Sequence, residues 1–398
     1  MISRRAFLVQ TLASASVAAL WPGLSLARID TEKRLIVVVL RGALDGLAAV
    51  PPYGESRYES TRGELALSSP GTADGALKLD GMFGLHPKLS ALHEWYQIGD
   101  ALVVHAAASP YRERSHFDGQ NLLENGTGRP FGAADGWLNR AIAAMPRPPG
   151  AAGDERGIAL GQNVPLLLRG SEPIGSWAPS VLPGVSDDTM NRIVDLYAND
   201  AFLSMRLANA LETEAMAPDG RGRGRMGPQQ FVEMADAAGS FLIERDGPRV
   251  AMLEATGWDT HANQGAHEGQ LATRLRFLDE ALGALRKRLG ATWSDTVVLV
   301  VSEFGRTVSV NGTKGTDHGT AGVMFVAGGV VNGGRVVADW PGLRASDLYQ
   351  GRDLMPTTDV RSVFKGILGD HLGVAESALE TTVFPDSRAA APVDGLIG

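Results

Sequence analysis

Six acids and imidazoles stand beside the most apolar runs of the chain. Asp45 follows the run 35–40, Asp259 and His261 follow 250–255, and Glu303 follows 296–301. Asp317 and His318 come just before a further run, 323–327. Carboxylates gathered in one place without cations repel, and their pKa values rise. A bound divalent cation is the simplest compensation. Mixed imidazole and carboxylate ligands suit Zn²⁺, Mn²⁺ or iron, and an oxygen-rich set suits Mg²⁺ or Ca²⁺. The chain has no cysteine, which excludes disulfides, thiolate catalysis and metal sites built on sulfur.

A second polar run reads Arg114-Ser115-His116-Phe117-Asp118-Gly119-Gln120. Ser115 beside His116 has the composition of an activated nucleophile, although adjacency in sequence is poor evidence for a Ser–His hydrogen bond. A bound metal is another way to activate the Ser115 hydroxyl. Ser115 three residues before Asp118 also has the spacing of a helix cap, and a nucleophile at a helix start gains from the dipole. Arg114 and Arg306 are the cations placed to stabilise developing negative charge.

Each of these residues has a plainer use. Asp45 can cap the helix after its strand. Glu303 can pair with Arg306. Asp259 and His261 can hydrogen-bond within their Trp-Asp-Thr-His turn, and His318 within its glycine-flanked turn. His86, His93, His105 and His371 read as packing or surface residues, and His267 as a helix-face residue. No Gly-x-Ser-x-Gly elbow or phosphate-cradling Gly-rich loop is present.

The elements that must position these groups follow from the apolar pattern. The β-branched run 35–40, ending at Arg41-Gly42, reads as a buried parallel strand. Its carboxyl end is the edge where open α/β sheets bind ligands. Leu85, Leu89, Leu92 and Trp95 are spaced for an amphipathic helix over 85–99. A strand over 101–106 follows, then a polar loop running into a helix within 111–126. Residues 141–156 read as a Pro- and Gly-rich connection. The segment 186–245 reads as an inserted helical cap, broken by a flexible basic stretch at 220–225. The second half alternates strand 250–255, helix 271–289, strand 296–301, a turn at 310–312 and strand 323–327. This predicts a mainly parallel sheet covered on both faces.

Composition bounds the rest. Of 398 residues, 44% are hydrophobic and 21% charged, which are globular proportions. A formal charge of −8 argues against nucleic acid as a partner. The start Arg4-Arg5-Ala6-Phe7-Leu8, an apolar stretch to Leu20 and the small-residue pattern at Ser25-Leu26-Ala27 match a twin-arginine signal peptide over 1–27. The twin-arginine export machinery is then a partner, and the mature chain, 28–398, is a single exported or periplasmic domain. Cleavage removes two arginines and leaves the chain more acidic. No apolar run of membrane-spanning length lies beyond the leader.

Several stretches together resemble the bacterial family catalogued as domain of unknown function 1501. They are 40–46 (Leu-Arg-Gly-Ala-Leu-Asp-Gly), 114–118 (Arg-Ser-His-Phe-Asp), 136–140 (Gly-Trp-Leu-Asn-Arg), 257–261 (Gly-Trp-Asp-Thr-His), 302–307 (Ser-Glu-Phe-Gly-Arg-Thr), 315–319 (Gly-Thr-Asp-His-Gly) and 351–353 (Gly-Arg-Asp). That family is similar to the alkaline phosphatase and sulfatase superfamily. The resemblance implies a three-layer α/β/α sandwich with a divalent metal (Zn, Mn, Ca or Mg) at the carboxyl edge of its sheet. It implies Asp45 as a first-strand ligand and Ser115 as nucleophile. Asp259 with His261, Glu303, Asp317 and His318 would complete the metal shell. Phe304 would stand where a ligand histidine often sits, which weakens the case for a two-metal site. The implied activity is hydrolysis of a phosphate or sulfate ester, small-molecule or glycan. An inactive relative that binds a glycan, cell-wall fragment or partner protein is the alternative. A metal-dependent isomerase or transferase is a third.

Overall fold

The structure is a computed structural model that describes residues 31–147, 155–179, 187–197, 200, 203–208 and 228–398. The leader 1–27 and the basic stretch 220–225 lie outside the described residues. Nine strands form one sheet. In chain order they are β1 (Arg34–Arg41), β2 (Ala101–Ala108), β3 (Gly157–Leu160), β4 (Ile174–Trp177), β5 (Val250–Thr256), β6 (Thr296–Ser302), β7 (Gly322–Ala327), β8 (Val336–Val337) and β9 (Thr358–Asp359). The order across the sheet is β8-β2-β7-β6-β1-β5-β3-β4, with β9 also pairing β2. The main helices are α1 (Ser90–Ile98), α2 (His116–Asn125), α3 (Trp137–Ala144), α4 (Pro228–Ile243), α5 (Gln270–Leu289) and α6 (Val360–Asp370).

Strand β1 shows why the sheet is covered on both faces. Ile36, Val38 and Leu40 enter one apolar cluster with Leu92 and Trp95 of α1, Phe241 of α4 and Leu282 of α5. Leu35, Val37 and Val39 enter the opposite cluster with Trp137 of α3 and Phe364 of α6. Successive side chains point to opposite faces, so a strand apolar at every position needs a helical layer on each side. The α/β/α sandwich expected from the sequence is the one observed. Within 186–245, Asp187–Tyr197 and α4 are helical. Of these, α4 is one of the covering helices, burying Ala237, Ala238, Phe241 and Leu242. Helix α3 runs to Ala144, so the connection expected from 141 begins four residues later.

β1 runs parallel to both β5 and β6, in register from Leu35 onward. Strand β7 departs from the parallel pattern, pairing antiparallel with both β6 and β2. No helix separates β6 from β7, and a parallel crossover needs a long connection that is usually helical. The consequence is functional. β1, β2, β5 and β6 all end at one edge of the sheet, and β7 enters the sheet from that same edge. Residues just after the first four strands and just before the fifth therefore meet.

Candidate metal centre

Four side chains converge at this edge. Asp259 follows β5, with Gly42 beneath it. The Gly42 backbone lies at φ +120°, and a Cβ there would come within 2.6 Å of the Asp259 nitrogen. His261 is two residues on and is backed by Gly315, where a Cβ would lie 2.4 Å from the His261 carbonyl. His318 precedes β7. His116 is the first residue of α2. The Asp259 Oδ1 lies 3.0 Å from His261 Nε2 and 3.3 Å from His318 Nε2. Its Oδ2 lies 3.4 Å from His116 Nε2. Ligand atoms of His116, Asp259 and His318 all fall within 4.8 Å of one another, and His261 Nε2 is 2.9 Å from His318 Nε2.

The far side of each ring decides what its Nε2 can offer. His116 Nδ1 faces Glu303 Oε1 at 2.7 Å. His318 Nδ1 faces the Arg114 carbonyl at 2.8 Å. His261 Nδ1 faces Asp317 Oδ1 at 3.0 Å. All three neighbours are acceptors, so each Nδ1 carries the proton and donates it. In the tautomer this favours, Nε2 is the ring atom aimed at the cluster. His116 Nε2 is buried with no hydrogen-bond partner. Metal-binding histidines are held in this way, with the second nitrogen on a carboxylate or backbone carbonyl. His116, Asp259 and His318 place one donor atom each close enough together for a divalent cation, with His261 Nε2 beside them.

Charge in the cluster is polarised accordingly. The Glu303 hydrogen bond and charge hold the His116 imidazole above its ordinary pKa against the effect of burial. Burial pushes Asp259 up, but the Arg306 hydrogen bond and charge, with His261 and His116, bring it below the usual carboxylate range. Burial lowers His318.

The structure separates the expected ligands into three groups. Asp259, His261 and His318 are brought together. Glu303 and Asp317 stand one layer back. The Oε1 of Glu303 already accepts from Gly42 N at 2.9 Å, Gln120 Nε2 at 3.0 Å and His116, and the residue is fully buried. Its ionised form is favoured because these bonds outweigh burial. Asp317 accepts from Asn311 at 2.9 Å and from His261, which lowers its pKa. Asp45 is the third case. It caps the short helix Gly46–Ala49 and is ion-paired to the fully buried Arg62, with Gln264 Nε2 at 2.7 Å. Its oxygens face these partners, and it is not in the cluster.

Among the expected catalytic residues, His116 is the one drawn into the cluster. Ser115 is the N-cap of α2, its Oγ accepting a long 3.5 Å bond from Asp118 N. Arg306, its side chain buried, binds Asp259 Oδ1 at 2.5 Å and Thr316 Oγ1 at 3.2 Å. Arg114 pairs with buried Asp353 at 2.7 Å and with Gln350. Phe304 stacks on His116, ring centroids 5.0 Å apart, and lies 5.4 Å from His318. Sequence reasoning did not find Gln264, which accepts from Thr260 and Thr316 and so ties Asp45 to the Arg306 network. A lone glutamine in a loop carries no spacing signal. His86, His105 and His371 are fully buried packing residues.

Among the described residues no helix is long and apolar enough to cross a membrane. The chain is similar to the solved structure of Ps i-CgsB in complex with k-i-k-neocarrahexaose, at 10% identity over 91% of this chain and 77% of that chain, with a TM-score of 0.44. It is also similar to the lipoteichoic acid synthase LtaP from Listeria monocytogenes, at 10% identity over 89% and 76%, TM-score 0.39. A third likeness is PsFucS1 sulfatase from Pseudoalteromonas sp., at 12% identity over 84% and 68%, TM-score 0.34. No curated protein sequence matches the chain. The family described as "Protein of unknown function (DUF1501)" matches residues 32–383, and the chain belongs to that family.

Proposed function

We propose that this protein is an exported, metal-dependent hydrolase of phosphate or sulfate esters. The observation that carries the reading is the convergence of three histidine Nε2 atoms on Asp259. His116, His261, His318 and Asp259 would hold one divalent cation. Imidazole-rich shells suit Zn²⁺ or Mn²⁺, whereas Ca²⁺ and Mg²⁺ take oxygen ligands. When bound, such an ion polarises an ester oxygen and lowers the pKa of a hydroxyl beside it.

The chain's own residues supply the rest. Glu303, Asp317 and the Arg114 carbonyl keep the three rings in one tautomer. Helix α2 opens at His116, so its first backbone N–H groups and positive dipole end favour an anion at this edge. Ser115, one residue earlier, is the candidate nucleophile. Its hydroxyl accepts a long bond from Asp118 N and lies beside the Tyr111 hydroxyl. Arg306 neutralises Asp259, which limits repulsion of an incoming anion. Export by the twin-arginine route rests on Arg4 and Arg5 in the leader.

The test is elemental mass spectrometry on natively exported protein, combined with assays on aryl phosphate and aryl sulfate. The expected result is about one equivalent of Zn or Mn, with Asp259→Ala losing metal and turnover together. Turnover that survives intact in Asp259→Ala would sink the reading. A second reading, an inactive binding protein on this fold, is favoured by Phe304, which covers one side of the cluster with carbon. Protein that carries no metal and unfolds identically with and without chelator supports it.

A further inference from the structure

Helix α2 turns His116 toward the cluster and the next residue toward water. Phe117 is 74% exposed and Phe131 is 59% exposed. Their rings nonetheless pack together, centroids 5.4 Å apart and planes at 42°. Neither ring belongs to a core cluster, so neither packs the interior. An aromatic ring left in water forgoes the stabilisation of burial. Phe131 also sits at φ +56°, a left-handed conformation that is unusual for a bulky residue.

Side chains of α2 hold it there. Asn121 Oδ1 accepts from Phe131 N at 2.6 Å. Asn125 Nδ2 donates to Asn121 Oδ1 at 2.9 Å and to the Arg129 carbonyl at 3.3 Å. One rigid helix therefore carries a candidate metal ligand, one exposed ring, and the amides that seat the other ring beside it. Phe117 directly follows His116, so the exposed rings begin one residue from the candidate ligand, and exposed apolar surface beside a polar site marks a place for a ligand.

We propose that Phe117 and Phe131 seat the alcohol side of the substrate, and that this part carries a six-membered ring with an apolar face. The inference rests on the ester-hydrolase reading of the metal centre. Two phenylalanines offer neither charge nor hydrogen bonds, so they distinguish a ring from a short chain by its flat face alone. Aryl and pyranose rings share that property.

The experiment is calorimetric titration of the metal-loaded protein with non-hydrolysable ligands: methyl-, phenyl- and glucosylmethyl-phosphonate, and the matching sulfonates. A ring-bearing ligand is expected to bind about tenfold more tightly than its methyl counterpart. Whichever ring shows the preference identifies the aryl or the pyranose class. In the Phe117→Ser/Phe131→Ser double variant the ring-to-methyl ratio falls to near one. In Asn121→Ala, which frees Phe131 but keeps both rings, the ratio falls part-way. Equal affinities for ring and methyl ligands in the wild type, or a preference that survives the double variant, overturns the proposal. If free phosphate, free sulfate and the methyl ligands all fail to bind, the hydrolase reading itself fails, and this inference with it.

Discussion

The Nε2 atoms of His261 and His318 face each other at 2.9 Å. Asp317 holds the proton of one ring on Nδ1, and the Arg114 carbonyl holds that of the other. With both protons on Nδ1, the two Nε2 lone pairs would repel at that distance, and a cation between them would turn the repulsion into coordination, with Asp259 supplying charge to hold it.

Metal affinity is therefore expected to depend on residues that never touch the ion. Glu303→Gln removes the carboxylate behind His116 and should weaken metal binding about 10- to 100-fold. The folded state should be retained. The measurement is competition with a chromophoric chelator, alongside the Co²⁺ absorption spectrum of each protein. Unchanged affinity and spectrum would place Glu303 outside the metal's support.

Asp45 should behave differently. It and Arg62 are both buried and paired, and a buried pair broken on one side costs about 3–5 kcal/mol. Asp45→Asn is expected to lower the denaturation midpoint strongly while keeping one equivalent of metal. Loss of metal without loss of stability would restore Asp45 as a ligand.

Ser115 has two uses that one substitution separates. As a cap, its replacement by alanine costs about 1 kcal/mol of stability. As nucleophile, its replacement removes turnover by orders of magnitude and leaves metal content intact. We expect both effects in Ser115→Ala. Full turnover with the stability loss alone would assign the attacking oxygen to water.

Acid should destabilise the protein through histidines far from the metal centre. Burial lowers His86, His105 and His371 to a pKa of about 4, from 6.5. Between these values the unfolded chain binds protons that the folded chain does not, so stability falls as pH drops from 6.5 towards 4. Each shift corresponds to something on the order of 3 kcal/mol. Urea unfolding followed across this window should show a steep loss with the uptake of about three protons from these groups. A flat profile between pH 6.5 and 4 would contradict it.

Much of this was legible in the sequence, for stated reasons. Runs such as 35–40 are apolar at every position, which marks a strand buried on both faces, and acids just past such runs fall at one edge. The roles of those acids were not legible. Asp45, Asp259 and Glu303 all follow apolar strands, but of the three Asp259 is the one that turns its oxygens to the Nε2 atoms of the histidines, because Arg62 and Gln264 hold Asp45, and Gly42, Gln120 and the Nδ1 of His116 hold Glu303. Those partners are distant in sequence and carry no spacing signal. The sequence sets His116 beside Ser115 as one half of a nucleophile pair. Its place on the first turn of α2 turns the ring to Asp259 instead. The reversal of β7 was available in principle, since no helical pattern lies between Ser302 and Gly322.

The position of β1 sets an order of events during synthesis. It is among the first parts of the folded domain to be made and sits mid-sheet, yet its two neighbours, β5 and β6, are translated more than two hundred residues later. Until then its unpaired backbone and both apolar faces lack their covering. Neither half of the chain can finish alone, and His318 is the last of the four cluster residues to be made. A ribosome that stalls before residue 296 releases a chain whose central strand lacks at least one partner, and one that stalls before 318 releases a chain without the complete site. A route that moves only completed proteins across a membrane would exclude such products by their shape.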